Sequence, residues 1–218
     1  EGLLGGGGRP GVHDPLNIID FLRGRGSSGR IVYLLDVSSS MSAAGLHKLD
    51  LAKKSLLDHL YLLTDESEFN VLTFSSRVSR LWREPRPVNI ESRADASDHL
   101  GAFTQESIMG NRGTDTLGAL HAALKMRPDV VVLLTDGLPT SGGGRFVEYD
   151  PELIGQSVRE QNTSNAALYI IGLEIDGLGG PGELLLKRLA QQTGGEVKFV
   201  TRDELRRFAV ENRPAREN

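Results

Sequence analysis

Five consecutive apolar residues, Ile31-Val32-Tyr33-Leu34-Leu35, run straight into Asp36 and then into Ser38 and Ser40. A continuous run of that kind, rich in β-branched and aromatic residues, predicts a strand buried on both faces. Its abrupt end gathers a carboxylate and two hydroxyls into one small volume, a set of hard oxygen atoms suited to a cation. A second run, Val130-Val131-Val132-Leu133-Leu134-Thr135, has the same form and ends in Asp136. Strands buried on both faces require helices above and below them, so the chain is constrained to a layered α/β fold.

The remaining pattern supplies those helices. Leu46, Leu49, Ala52, Leu56, Leu60 and Leu63 recur at three- and four-residue steps and predict an amphipathic helix after the first strand. Residues 69–74 and 78–82 read as strands joined by a turn at 75–77, too short for a crossover, and so as an antiparallel hairpin at a sheet edge. Helices are expected near 92–103, from Leu117 to Leu124, over 151–161 and around 184–190. Further strands are expected at 167–173 and 197–200, and Asp203 is the expected cap of a last helix. The fold class predicted is α/β and doubly wound. It has a mostly parallel central sheet of about six strands, one antiparallel edge strand and helices on both faces. In such a sheet, ligands sit beyond the carboxyl ends of strands where the strand order reverses. Asp36 and Asp136 are expected to meet there.

The chain divides into a glycine-rich linker or N-terminal arm over 1–29, a single domain over 30–210 and a polar tail over 211–218. A short helix at 18–22 is expected to lie on the domain. The opening residues lack Met and read as the interior of a longer chain. A net charge of -4 argues against a general nucleic-acid surface. Apolar runs are far below membrane-spanning length, so direct membrane insertion is not expected. With no cysteine, disulfides and thiolate metal sites are excluded, while the compartment stays open.

Three motifs stand on these elements: Asp36-Val37-Ser38-Ser39-Ser40, then Gly113-Thr114-Asp115-Thr116, then Thr135-Asp136-Gly137-Leu138-Pro139-Thr140. In order and spacing, roughly residues 30–210 resemble the von Willebrand factor A-type (vWA) domain with its metal ion-dependent adhesion site. That resemblance implies a Rossmann-like vWA fold. It also implies a divalent cation, Mg²⁺ with Mn²⁺ or Ca²⁺ as substitutes, held by Ser38, Ser40 and Thr114, with Asp36 and Asp136 holding its waters or ligating directly. Ser39, Arg112 and Asp115 depart from the commonest family pattern, where glycine, glycine and asparagine stand. None of the three is a metal position. Each hydroxyl has a simpler reading: Ser38 and Ser40 as caps of the following helix, and Thr114 as a cap shared with Asp115 or Thr116.

The function implied is a non-enzymatic, adhesion-type module that recognises an Asp or Glu of a protein partner through the bound cation. Loops 75–77, 107–113 and 137–150 are expected to surround the ion. A periplasmic, extracellular or membrane-anchored parent protein is favoured. Two alternatives remain: a structural subunit of a larger, membrane-associated or ATPase-linked assembly, and a Mg²⁺-dependent phosphatase-like hydrolase with Asp36 as nucleophile. Against the latter, Ser38 stands where such enzymes carry a second aspartate, and neither a phosphate loop nor G-x-S-x-G is present. The histidines show no paired metal spacing, Glu174 and Asp176 read as a solvated strand end, and Asn162-Thr163-Ser164 reads as an incidental sequon.

Overall fold

The computed structural model describes residues 15–22, 28–137, 151–175 and 181–211. The glycine-rich segments at 5–8 and 142–144, His13, Leu138 to Thr140, Asp176 and the tail from 212 lie outside them. In chain order come α1 (Ile18–Leu22), β1 (Arg30–Asp36), a 3-10 helix (Ser39–Gly45), α2 (Lys48–Leu62), β2 (Glu68–Phe74), β3 (Val78–Arg80), β4 (Arg86–Pro87) and α3 (Ile90–Gly101). They are followed by α4 (Thr116–Leu124), β5 (Val130–Thr135), α5 (Pro151–Gln161), β6 (Ala167–Leu173), α6 (Pro181–Gln192), β7 (Val197–Val200) and α7 (Arg202–Glu211).

The sheet runs β3-β2-β1-β5-β6-β7, and all pairs from β2 to β7 are parallel. The order reverses between β1 and β5, where neighbours of β1 leave in opposite directions. Leu34 is in register with Leu72 on one side and Leu133 on the other. Because side chains alternate along a strand, the sheet has two cores. Ile31, Tyr33, Leu35, Val132 and Tyr169 pack with α1, α2 and α3. Val32, Leu34, Leu133 and Ile170 pack with α4, α5 and α6. The apolar runs are therefore buried above and below, as their lack of polar alternation demands.

Three details differ from the sequence expectation. Both β3 and β4 pair antiparallel with β2, making seven strands, because the two-residue Arg86–Pro87 segment adds to the edge. A strand that short carries no periodicity to read. Trp82 also lies beyond β3. There the buried Asn70 takes over from the ladder, accepting from Trp82 N (3.3 Å) and donating to Trp82 O (2.9 Å). The last helix is capped by Thr201 rather than Asp203: Thr201 Oγ1 accepts from Glu204 N (3.3 Å), and Glu204 Oε2 accepts from Thr201 N (2.8 Å).

Candidate functional site

Asp36 closes β1 and is fully buried. Its Oδ1 accepts from the Ser38 backbone N–H (2.8 Å) and its Oδ2 from Thr135 Oγ1 at the end of β5 (2.6 Å). The chain then turns into the 3-10 helix, for which Ser38 occupies the cap position without making a side-chain cap bond. Its hydroxyl instead meets Ser40 Oγ at 2.9 Å, and Ser40 Oγ donates to Asp136 Oδ1 at 2.7 Å. An unbroken chain of oxygen atoms thus runs from the β1 tip to the β5 tip. The capping explanation for Ser38 does not hold.

Thr114 reaches the same place from the loop before α4. It is buried, and the preceding Gly113 supplies the turn with φ +81°. The α4 cap is made by Asp115, whose carboxylate accepts from Gly118 N at 3.0 Å. A β-carbon placed on Gly137 would stand 3.3 Å from Thr114 Oγ1 and 3.8 Å from Asp36 Oδ2. The Thr114 hydroxyl therefore faces the β5 tip, and a glycine there keeps the space open. Loop 107–113 is tied down by Ser39 N donating to Asn111 O (2.8 Å) and Asn111 Nδ2 donating to Val37 O (2.9 Å). Ser75 O accepts from Asp115 N at 2.7 Å. All five predicted residues, Asp36, Ser38, Ser40, Thr114 and Asp136, are brought to the switch point.

The electrostatics are strained. Burial first, and the Asp136 charge second, raise the Asp36 carboxyl from 3.8 to about 6. Asp136 has an additional partner that the sequence reading missed. Lys48, at the start of α2 with its side chain 2% exposed, places its ammonium against Asp136 Oδ2 and 2.5 Å from Glu174 Oε2. Arg202 Nε and Nη2 hold Glu174 Oε1, each at 2.7 Å. Although burial pushes Glu174 up, Lys48 and Arg202 hold it below its ordinary value. Glu174 is thus an ion-paired hub and not a solvated strand end. Among the described residues, no group of three or more Asp, Glu or His is placed to hold a metal ion. The oxygen cluster at the switch point is two carboxylates and three hydroxyls.

The von Willebrand factor type A domain profile matches residues 29–199. The chain belongs to that family. Inter-alpha-trypsin inhibitor heavy chain 4 of Mus musculus is 23% identical to this vWA domain over 189 residues, covering 81% of the chain and 18% of the relative. Among solved structures, a von Willebrand factor type A protein from Catenulispora acidiphila superposes with TM-score 0.62 at 19% identity, over 84% of this chain and 42% of that one. The pilus adhesin SpaC from Lactobacillus rhamnosus GG gives TM-score 0.63 at 13% identity, over 84% and 30%. At these identities the structural likeness is one of fold. The vWA domain spans 18–19% of the inter-alpha-trypsin inhibitor heavy chains it matches. Among the described residues, no helix is long and apolar enough to cross a membrane.

Proposed function

We propose that the oxygen cluster at the β1 and β5 tips binds a divalent cation, and that this cation recognises a carboxylate of a protein partner. Ser38, Ser40 and Thr114 supply the hydroxyl ligands. Asp36 and Asp136 hold the ion's waters or ligate it directly. The observation that carries the reading is the continuous chain Ser38–Ser40–Asp136, with hydroxyl oxygens 2.9 Å apart and the last contact at 2.7 Å. Oxygens bound about 2.0–2.1 Å from an octahedral Mg²⁺ lie about 2.9 Å from one another along an edge. Ser38 and Ser40 already stand at that separation, so an ion would replace their mutual hydrogen bond without displacing the oxygens. The raised Asp36 carboxyl points the same way, since a cation relieves both causes of the rise.

Hydroxyl ligands are neutral, so a divalent ion held largely by them keeps charge to offer a further anion. That suits recognition of a partner's Asp or Glu, and an adhesion-type role is in keeping with a fold also found in a pilus adhesin. A cell-surface or exported parent protein fits this role. Nucleophilic chemistry at Asp36 is disfavoured, because the residue is fully buried and both its oxygens already accept hydrogen bonds. Calorimetric titration with Mg²⁺ and Mn²⁺ tests the proposal on wild type, Ser40→Ala and Thr114→Ala. Saturable binding to wild type that weakens in both variants supports it; equal binding by all three overturns it.

A further inference from the structure

A lysine buried to 2% exposure is costly unless its charge is paired, and Lys48 is paired twice, with Asp136 and with Glu174. Its position in the helix does not explain it. Lys48 is the first residue of α2, where the positive end of the helix dipole disfavours a cation. Its backbone follows His47, the residue before the helix, held in the left-handed region at φ +51°. The geometry divides Asp136 between two neighbours: Oδ1 accepts from Ser40, and Oδ2 faces Lys48. One carboxylate is thus shared by an oxygen donor of the candidate ion site and a fixed internal cation.

We propose that Lys48 is a charge-setting residue of the site, whose ammonium takes half of Asp136 and thereby keeps the bound ion electrophilic toward an external carboxylate. This rests on the metal reading above and deepens it. The charge count is simple. Asp36 and Asp136 place two negative charges beside a divalent ion and so weaken its pull on an acidic partner. Lys48 restores one positive charge, while Glu174 and Arg202 offset each other. The same charge repels the ion, even at the moderate effective dielectric of a protein site. Lys48 therefore trades ion affinity for ligand affinity. Glu174 regulates the trade, because it draws the ammonium partly away from Asp136.

The test uses Mn²⁺ as the ion, followed by the electron paramagnetic resonance signal of the free ion, and acetate as the external carboxylate, followed by water proton relaxation of the loaded protein. Lys48→Met is expected to bind Mn²⁺ at least about tenfold tighter and acetate several-fold weaker than wild type. Glu174→Gln is expected to act in the opposite sense, with Mn²⁺ bound a few-fold weaker, since the ammonium then belongs to Asp136 alone. A purely structural role for Lys48 would weaken ion binding in both variants. Unchanged or weaker Mn²⁺ binding in Lys48→Met overturns the inference. If that variant does not fold, Glu174→Gln decides alone: weaker Mn²⁺ with tighter acetate supports the inference, and unchanged or tighter Mn²⁺, or unchanged or weaker acetate, overturns it. No Mn²⁺ binding by the wild-type protein would instead overturn the metal reading itself, and this inference with it.

Discussion

The two ends of β1 and β5 both carry acidic groups, yet they dispose of them differently. At the opening end, Asp129 Oδ2 accepts from Arg30 N (2.8 Å), while the Arg30 guanidinium holds Glu68 (2.8 and 2.6 Å) and donates to Met126 O (3.2 Å). An open cleft of about 610 Å³ lies there, lined by Arg30, Glu68, Arg127 and Asp129 among others. At the carboxyl end no arginine reaches Asp36 or Asp136 in the hydrogen bonds described. They are held by Thr135, Ser38, Ser40 and one lysine. A guanidinium is a permanent cation whose donors cannot become ligands. A hydroxyl offers a proton in one state and a lone pair in the other. The opening end is therefore closed chemistry despite its volume, whereas the carboxyl end carries the donors that the proposed ion needs.

The sharpest way to break this distinction is to mutate both ends and measure ion binding. Ser40→Ala should weaken Mg²⁺ by about 100-fold, or about 2.7 kcal/mol, while Asp129→Ala should leave the affinity unchanged by calorimetry. Equal losses would erase the difference between the ends.

A comparable effect is expected in pH dependence. The Asp36 carboxyl is raised to about 6 when folded, from 3.8. The stability it contributes is present at low pH and is lost as pH rises from about 4 through 6, by roughly 3 kcal/mol without metal. His59, buried on α2 with Nδ1 2.7 Å from Tyr33 Oη, has the opposite sign. Burial lowers it from 6.5 to about 4, so its contribution is full above about 6.5 and is lost as pH falls toward 4. The two slopes oppose each other in the wild type. Asp36→Asn should leave the rising slope of His59, joined by His99 and His121, which burial also lowers, so its urea midpoint should rise steadily from pH 4 to 6.5. In EDTA at pH 7 it should also be more stable than wild type by about 1–3 kcal/mol, with no further gain from Mg²⁺.

Changes at the opening end should alter stability alone. Gly29 has φ +92°, and a β-carbon there would stand 2.7 Å from Asp129 Oδ2. Gly29→Ala should cost about 1–3 kcal/mol in urea unfolding at unchanged Mg²⁺ affinity. The smallest effect is expected for Arg30→Met. The Arg30 and Glu68 side chains are more than a third exposed, so the loss should stay under about 1 kcal/mol.

Much of this was legible in the amino acids because the signals were long. Apolar runs at β1, β5 and β6 have no competing reading, and α5 over Pro151–Gln161 begins at the proline that marks it. The three motifs named the switch-point residues before any distance was known. What escaped was either too short or too distant in sequence. Arg86–Pro87 is a strand only because β2 lies beside it. In the sequence Lys48 is one of several polar residues between the leucines of α2, and its partners lie 88 and 126 residues away. One signal was available: a lysine at a helix's first residue opposes the dipole and calls for a tertiary partner. Glu174 read as solvated because its cations, Lys48 and Arg202, arrive from two other elements.

The central claim is that a divalent ion occupies the hydroxyl end of the sheet and not the guanidinium end. Crystals equilibrated with Mn²⁺ and measured at the manganese edge test it directly. The account predicts an anomalous peak in contact with Ser38 Oγ and Ser40 Oγ, beside Thr114 at the tips of β1 and β5. A peak in the cleft at Glu68 and Asp129, or none at saturating Mn²⁺, would contradict it.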